Sequence, residues 1–344
     1  METKDQPTPE SLGNDTYGRE AAINRRTSLS WLAAMAAPLS LGSQSAAAQT
    51  YPSGPIIIIV PFPGGTPPDI YCRILGDRLS KRIGHPVVVD VRPGASSTIG
   101  AAYAAKARPD GLTMLYATNS TLTAAPGLFK KLPYDPTKDF SAVTVMMETY
   151  FGIIVRPEDS KLTVEGLAER IRKDPGRNAM AGGSVTTEVA NKMFQNVAKL
   201  EHSYARYNSA QAYTDLSSGV LNAAWAPLGT AIALSKQGRV HILAVTSPQR
   251  INVIPNTPTM SEFYPGFVLN SWSGFFVPSA TPRSIVAQLY QHLAVVVRDE
   301  ELQERGRQDG NKDLTMTPEQ SEAYVKSDFP RWRTLLQNAG IQPA

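Results

Sequence analysis

Three short runs of glycine and hydroxyl residues are where this 344-residue chain could do chemistry. The first, PFPGGTPPD at 61–69, follows four consecutive isoleucines and Val60. Gly64 and Gly65 permit backbone angles that a Cβ would obstruct. Thr66, Pro67 and Asp69 read as N-cap, first helical residue and capping-box acid. A strand, a glycine turn and a helix start together aim backbone N–H groups at a sheet edge, an arrangement that binds anions. Pro67 and Pro68 have no N–H, so the donors reduce to Gly64, Gly65, Thr66 and Asp69. So few fixed donors suit a carboxylate better than a triphosphate. The same turn is equally a tight strand-to-helix connection with no ligand.

The second run, RPGASSTIG, places Ser96, Ser97 and Thr98 at the start of a small-residue helix and offers a second polar wall. The third, GGSVTT, is another glycine turn entering a helix. Trp272, on an aromatic-rich segment at 265–282, and Tyr207, at a strand end, are candidates to stack on a ligand, against a plain core reading. Cys72 stands alone and shares helical spacing with Leu75 and Leu79, so it reads as core rather than as nucleophile or metal ligand. His85, His202, His241 and His292 are scattered, with no metal-ligand spacing. Ser184, His202 and Asp215 could be imagined as a triad, but their spacing does not support one. The chain lacks a G-x-S-x-G elbow, an H-E-x-x-H pair, a P-loop and a G-x-G-x-x-G turn. No cofactor and no metal are expected. A binding module needs no base–nucleophile pair, which favours it over a cryptic hydrolase or isomerase in the same cleft.

The elements that position these runs follow from periodicity. The run at 56–60 is too short for an isolated helix and rich in β-branched residues, so it reads as a buried strand of a parallel sheet. A helix over 67–83 ending at Gly84, a strand at 87–91, a helix at 99–107 and a strand at 112–118 give β-α-β-α-β. After a proline-rich stretch, an apolar segment at 142–147 precedes a second alternating series. Its strands are FGIIV (151–155), 178–181, 203–207, 220–226 and 240–246, with helices between them. The segment at 265–282 then reads as a return crossing, and helices at 284–299 and 317–338 complete the chain.

Hydrophobic content of 42% and charged content of 19% describe a globular α/β protein. The formal charge of +4 is dispersed, without a basic run or aromatic interleaving, which excludes a nucleic-acid footprint. Residues 1–48 read as a leader. Arg25 and Arg26 precede a modest apolar segment, and three alanines precede Gln49, giving a signal peptide cleaved near Ala48 for export to the periplasm. The paired arginines suggest the twin-arginine route, with Sec as the alternative. Its removal takes four basic and five acidic residues and leaves a charge of about +5, which agrees with an anionic small ligand.

Several stretches in one order resemble a known family. YPSGPIIIIVPFPGG, VVVDVRPGA, ARPDGLTMLYAT, KKLPYDPTKDF, LAVTSPQR with IPNTPTMSE, and SWSGFFVPSATP are similar to the Bug-type periplasmic substrate-binding proteins of tripartite tricarboxylate transporters, over about residues 50–344. The resemblance implies a two-lobed, hinge-closing fold, each lobe a largely parallel sheet flanked by helices. Lobe 1 would comprise 49–147 plus 267–344, and lobe 2 would comprise 148–266. It also implies a monomeric receptor, no enzyme, that captures a small organic carboxylate and hands it to membrane permease subunits or a sensor. Carried onto this chain, the carboxylate site falls on Phe62, Pro63, Gly64, Gly65, Thr66 and Asp69, with Ser96, Ser97 and Thr98 in the second turn. The facing lobe contributes Gly183, Ser184, Thr186, Thr187 and Tyr207. Glu188 stands where the family commonly has histidine, the turn at Tyr207 lacks a lysine, and Ala226 replaces an acid. These departures point toward a less charged acid.

Overall fold

The computed structural model describes residues 51–343 except Asn178, Asn208 and Ala210. The leader, its cleavage site and the paired arginines lie outside the described residues. The isoleucine run forms β1 (Ile56–Val60). α1 (Pro67–Ile83) begins at the proline pair, as expected, and Gly84 ends it in the left-handed region. β2 (Val87–Val91), α2 (Thr98–Ala105) and β3 (Thr113–Thr118) follow. β1 pairs in parallel with β2 and β3, so three C-terminal strand ends stand side by side.

The next element departs from expectation. The apolar segment at 142–147 and the FGIIV strand are one strand, β4 (Phe140–Val155), longer than most. Then come α3 (Val164–Lys173), β5 (Ala179–Gly182), α4 (Val185–Ala198), β6 (Ser203–Arg206), α5 (Gln211–Ser217), β7 (Ala223–Pro227), α6 (Leu228–Lys236) and β8 (His241–Val245). The chain returns through α7 (Met260–Phe263), β9 (Asn270–Pro278), α8 (Arg283–Val296), α9 (Glu300–Gln308), β10 (Lys312–Asp313) and α10 (Pro318–Asn338). The first half of β4 pairs antiparallel with β9 and β10, and the second half with β7 and β8. The polar residues Glu148 and Thr149 interrupt the apolar pattern where the neighbours change, which is why the sequence reads as two pieces. α9 and β10 add to the expected elements, since α9 turns a single buried side chain, Leu302, inward.

The result is a two-lobed α/β fold on a shared strand, with the order β2-β1-β3-β9-β4-β7-β5-β6. Apolar clusters cover both faces of each half. Ile58, Leu75, Phe275 and Leu289 pack on one face of the first half, and Ile59, Ala101, Leu115 and Trp272 on the other. Phe194 and Trp225 anchor one face of the second half, and Ile154, Leu228 and Ile242 the other. α10 lends Val325 to the first half but Trp332 and Leu336 to the Phe194–Trp225 cluster. Cys72 is fully buried in the core, in agreement with its spacing. Trp272 is 1% exposed and donates its indole N–H to Asp328 at 2.6 Å, so the stacking role is corrected to a core one.

Both crossings between the halves meet at Thr246. Its N–H donates to the Phe151 carbonyl at 2.8 Å, and its hydroxyl accepts the Phe151 N–H at 3.0 Å. The same hydroxyl donates to the Leu269 carbonyl at 2.6 Å, and the Leu269 N–H returns to the Thr246 carbonyl at 3.1 Å. One buried side chain therefore ties β4 to the return crossing.

Candidate functional site

The parallel pairing sets the β1–α1 loop, the β2–α2 loop and the end of β3 along one edge. β5, β6 and β7 likewise set the turn before α4 beside Tyr207. The two edges face each other, because Asn119, just after β3, donates its Nδ2 to Thr186 Oγ1 on the first turn of α4 at 3.0 Å. Asn119 and Thr186 are both buried.

In the β1–α1 loop, Gly65 adopts φ +76°, a conformation that disfavours a Cβ. Its N–H is spent on the Asp69 carboxylate at 2.8 Å. Asp69 thus reaches one residue beyond the expected capping box, and Thr66 occupies the N-cap position without a capping bond. The Thr66 hydroxyl donates instead to the Pro63 carbonyl at 2.6 Å. Gly64 is exposed, and neither its N–H nor that of the buried Asp69 has a hydrogen bond among the described residues, so Gly64 is the exposed open donor of the four. Phe62 turns away from solvent, edge-on to Tyr116 with centroids 6.1 Å apart.

The β2–α2 loop carries backbone strain. Ala95, Ser96 and Ser97 take φ +43°, +51° and +78° in succession. Each non-glycine residue in this region costs about 1–2 kcal/mol, and such strain concentrates at functional sites. Ser97 and Thr98 are buried, with the Thr98 hydroxyl donating to the Ala95 carbonyl at 2.9 Å.

Across the cleft, Ser184 caps α4. Its hydroxyl accepts the Thr187 N–H at 3.2 Å, and the Thr187 hydroxyl accepts the Ser184 N–H at 2.9 Å. Thr187 is fully buried and also donates to the Ser184 carbonyl, so it shapes the turn. Gly183 is exposed, and a Cβ there would approach the Tyr207 carbonyl at 3.3 Å. The Tyr207 hydroxyl donates to Asp215 at 2.6 Å. That bond raises the phenol's pKa and lowers the carboxylate's.

Charges around the cleft are paired with one another. Arg73 Nε lies 2.8 Å from Asp69, Arg206 lies 2.5 Å from Glu188, and Arg92 lies 2.8 Å from Asp90 and stacks over Tyr103. Glu188 therefore meets a cation on β6, Arg206. Sequence reasoning missed Asn119 and Ser271. The polar run NST after the third strand was the available signal for Asn119. No group of three or more His, Cys, Asp or Glu among the described residues is arranged to hold a metal ion.

The model of the tripartite tricarboxylate transporter family receptor, TctC, matches residues 71–341. This chain belongs to that family. The TctC family is one of periplasmic solute receptors rather than enzymes. A UPF0065 protein of Bordetella bronchiseptica is 31% identical over 306 residues, covering 89% of this chain and 91% of the relative. Among solved TctC-like structures, the periplasmic binding protein BugD is 29% identical with a TM-score of 0.79, covering 86% of this chain and all of that one. R. palustris Rpa4515 with adipate is 26% identical with a TM-score of 0.81, over 86% of this chain and 100% of that one. Among the described residues no helix is long and apolar enough to cross a membrane.

Proposed function

We propose that this receptor captures a small organic carboxylate in the interlobe cleft through backbone N–H groups and neutral hydroxyls. The observation that carries this reading is the pairing of Arg73, Arg92 and Arg206 beside the cleft loops with acids, while Gly64, two residues before the N-cap of α1, keeps an open N–H. A helix start favours negative charge by roughly 0.3–1 kcal/mol, so an acid gains there without a dedicated cation. The adipate held by Rpa4515 supports an acid of similar kind. Loss of a lysine beside Tyr207 supports a ligand of low charge.

Lobe 1, residues 49–147 plus 267–344, and lobe 2, residues 148–266, close about the Thr246 clasp. The chain is exported, cleaved near Ala48, and delivers its ligand to tripartite tricarboxylate permease subunits or a sensor.

The test is native mass spectrometry of the chain purified from periplasm, followed by calorimetric titration with monocarboxylates and C4–C6 dicarboxylates. A co-purifying or titrating acid is expected, with an N-terminus at Gln49. A chain that binds only cations or uncharged solutes overturns the carboxylate reading.

A further inference from the structure

We propose that Asn119 is the positioning residue of ligand capture: its amide latches the edge of the first lobe to α4, and so sets how long the cleft stays closed. The proposal rests on the binding reading above and deepens it. Asn119 is fully buried just beyond β3. Its Nδ2 donates to Thr186 Oγ1 at 3.0 Å, and its Oδ1 accepts the Ser271 hydroxyl. The partners are 67 and 152 residues away in sequence, so one side chain joins three distant segments.

An amide donates at one end and accepts at the other. Thr186 serves as acceptor and Ser271 as donor, and because each is a hydroxyl the amide is satisfied at both ends. The two bonds differ in what opening would do to them. Ser271 lies on β9, in the same lobe as β3, two strands hydrogen-bonded to each other. Thr186 lies on α4 in the other lobe. Separating the lobes therefore breaks the bond to Thr186 and leaves the bond to Ser271 intact.

An interaction present in one conformer alone shifts the population toward that conformer. Asn119 thus favours closure whichever acid is bound, and its loss appears in dissociation rate rather than in ligand choice. Thr187, next in sequence, is spent on the α4 cap and cannot substitute as acceptor.

The test is a double-mutant cycle on the full chain with Asn119→Ala, Thr186→Val and both together. Thr186→Ser, which keeps the hydroxyl, is the rescue variant. Circular dichroism and cooperative melting confirm folding, and Thr186→Val carries the test if Asn119→Ala does not fold. Small-angle scattering reads lobe separation without added ligand. Stopped-flow dissociation reads the latch with adipate, or with the acid that co-purifies.

Each single variant should expand the scattering profile and speed dissociation about five- to tenfold. The double variant should be no worse than either single, and Thr186→Ser should behave as wild type. Additive effects in the double variant overturn the latch. Loss of binding in Asn119→Ala with unchanged scattering and normal Thr186→Val also overturns it, because Asn119 would then touch the ligand. If no carboxylate binds the wild type, the binding reading fails while the scattering cycle still decides the latch.

Discussion

The Gly65 N–H donates to the Asp69 carboxylate across 2.8 Å, and Arg73 Nε stands 2.8 Å from the other carboxylate oxygen. A buried acid thus occupies the amide that the turn would otherwise offer to a ligand. It holds the loop in shape and leaves the Gly64 N–H without a partner among the described residues.

Asp69→Ala should lower stability by about 1.5–3 kcal/mol, the range for losing a hydrogen bond to a charged group. Arg73→Gln should cost less than about 1 kcal/mol, since that guanidinium is exposed. Urea unfolding of the two variants checks the order. Equal losses would mean that Arg73, not Gly65, is the partner that matters to Asp69.

Ser96→Gly and Ser97→Gly should each raise stability by about 0.5–1 kcal/mol. Glycine enters the left-handed region freely, and its gain of about 1–2 kcal/mol there exceeds its extra entropy in the unfolded chain. Thermal melts of both variants test this. A loss of stability would show that the serine side chains offset the strain of their backbone.

Much of this was legible in the sequence. The proline pair, Gly84 and the β-branched run at 56–60 fix α1 and β1 by local chemistry, and the observed ends agree. The cap at Ser184 is local as well. What was not legible depends on distant partners. Whether the Gly65 N–H is free depends on a side chain a helical turn away. Asn119 acquires a role only when α4 and β9 come to it, and no local pattern announces that meeting. The apolar segment at 142–147 and the FGIIV strand read as separate pieces because β4 changes neighbours in its middle, and neighbours are not written in a strand's own residues.

Thr246→Val keeps the shape of the side chain and removes its hydroxyl. The Phe151 N–H and Leu269 carbonyl then lose their shared partner inside the protein. A loss of about 2–3 kcal/mol is expected by denaturant unfolding, with Thr246→Ser close to wild type. A neutral Thr246→Val would mean that the two crossings hold together without the clasp.

His202 should make stability depend on acid. Burial, and then the charge on Lys192, push its pKa down to about 4 from 6.5. Its Nε2 meets Asn191 Oδ1 at 2.9 Å, and Nδ1 has no hydrogen-bond partner. Between those two pH values the unfolded chain takes up a proton that the folded chain refuses. Stability therefore falls as pH drops from about 6.5 toward about 4, and the contribution is fully present above that window. The difference should reach about 1–2 kcal/mol, since the ring is partly solvated. Comparing wild type with His202→Gln across pH 4–7 isolates it; parallel profiles would assign the acid loss to carboxylates.

β9 lies between β3 and β4 in the sheet, although it follows both in the chain. The Asn119–Ser271 contact across that join closes 152 residues of chain. A growing or threading polypeptide thus has β3 and β4 before it has the strand that unites them. Until residues 270–278 arrive, each keeps an unpaired edge of the kind that invites aggregation. Non-local pairing of this order makes folding slow. The first lobe is consequently assembled around a late-arriving centre, and a chain halted before that point carries both open edges and no completed cleft.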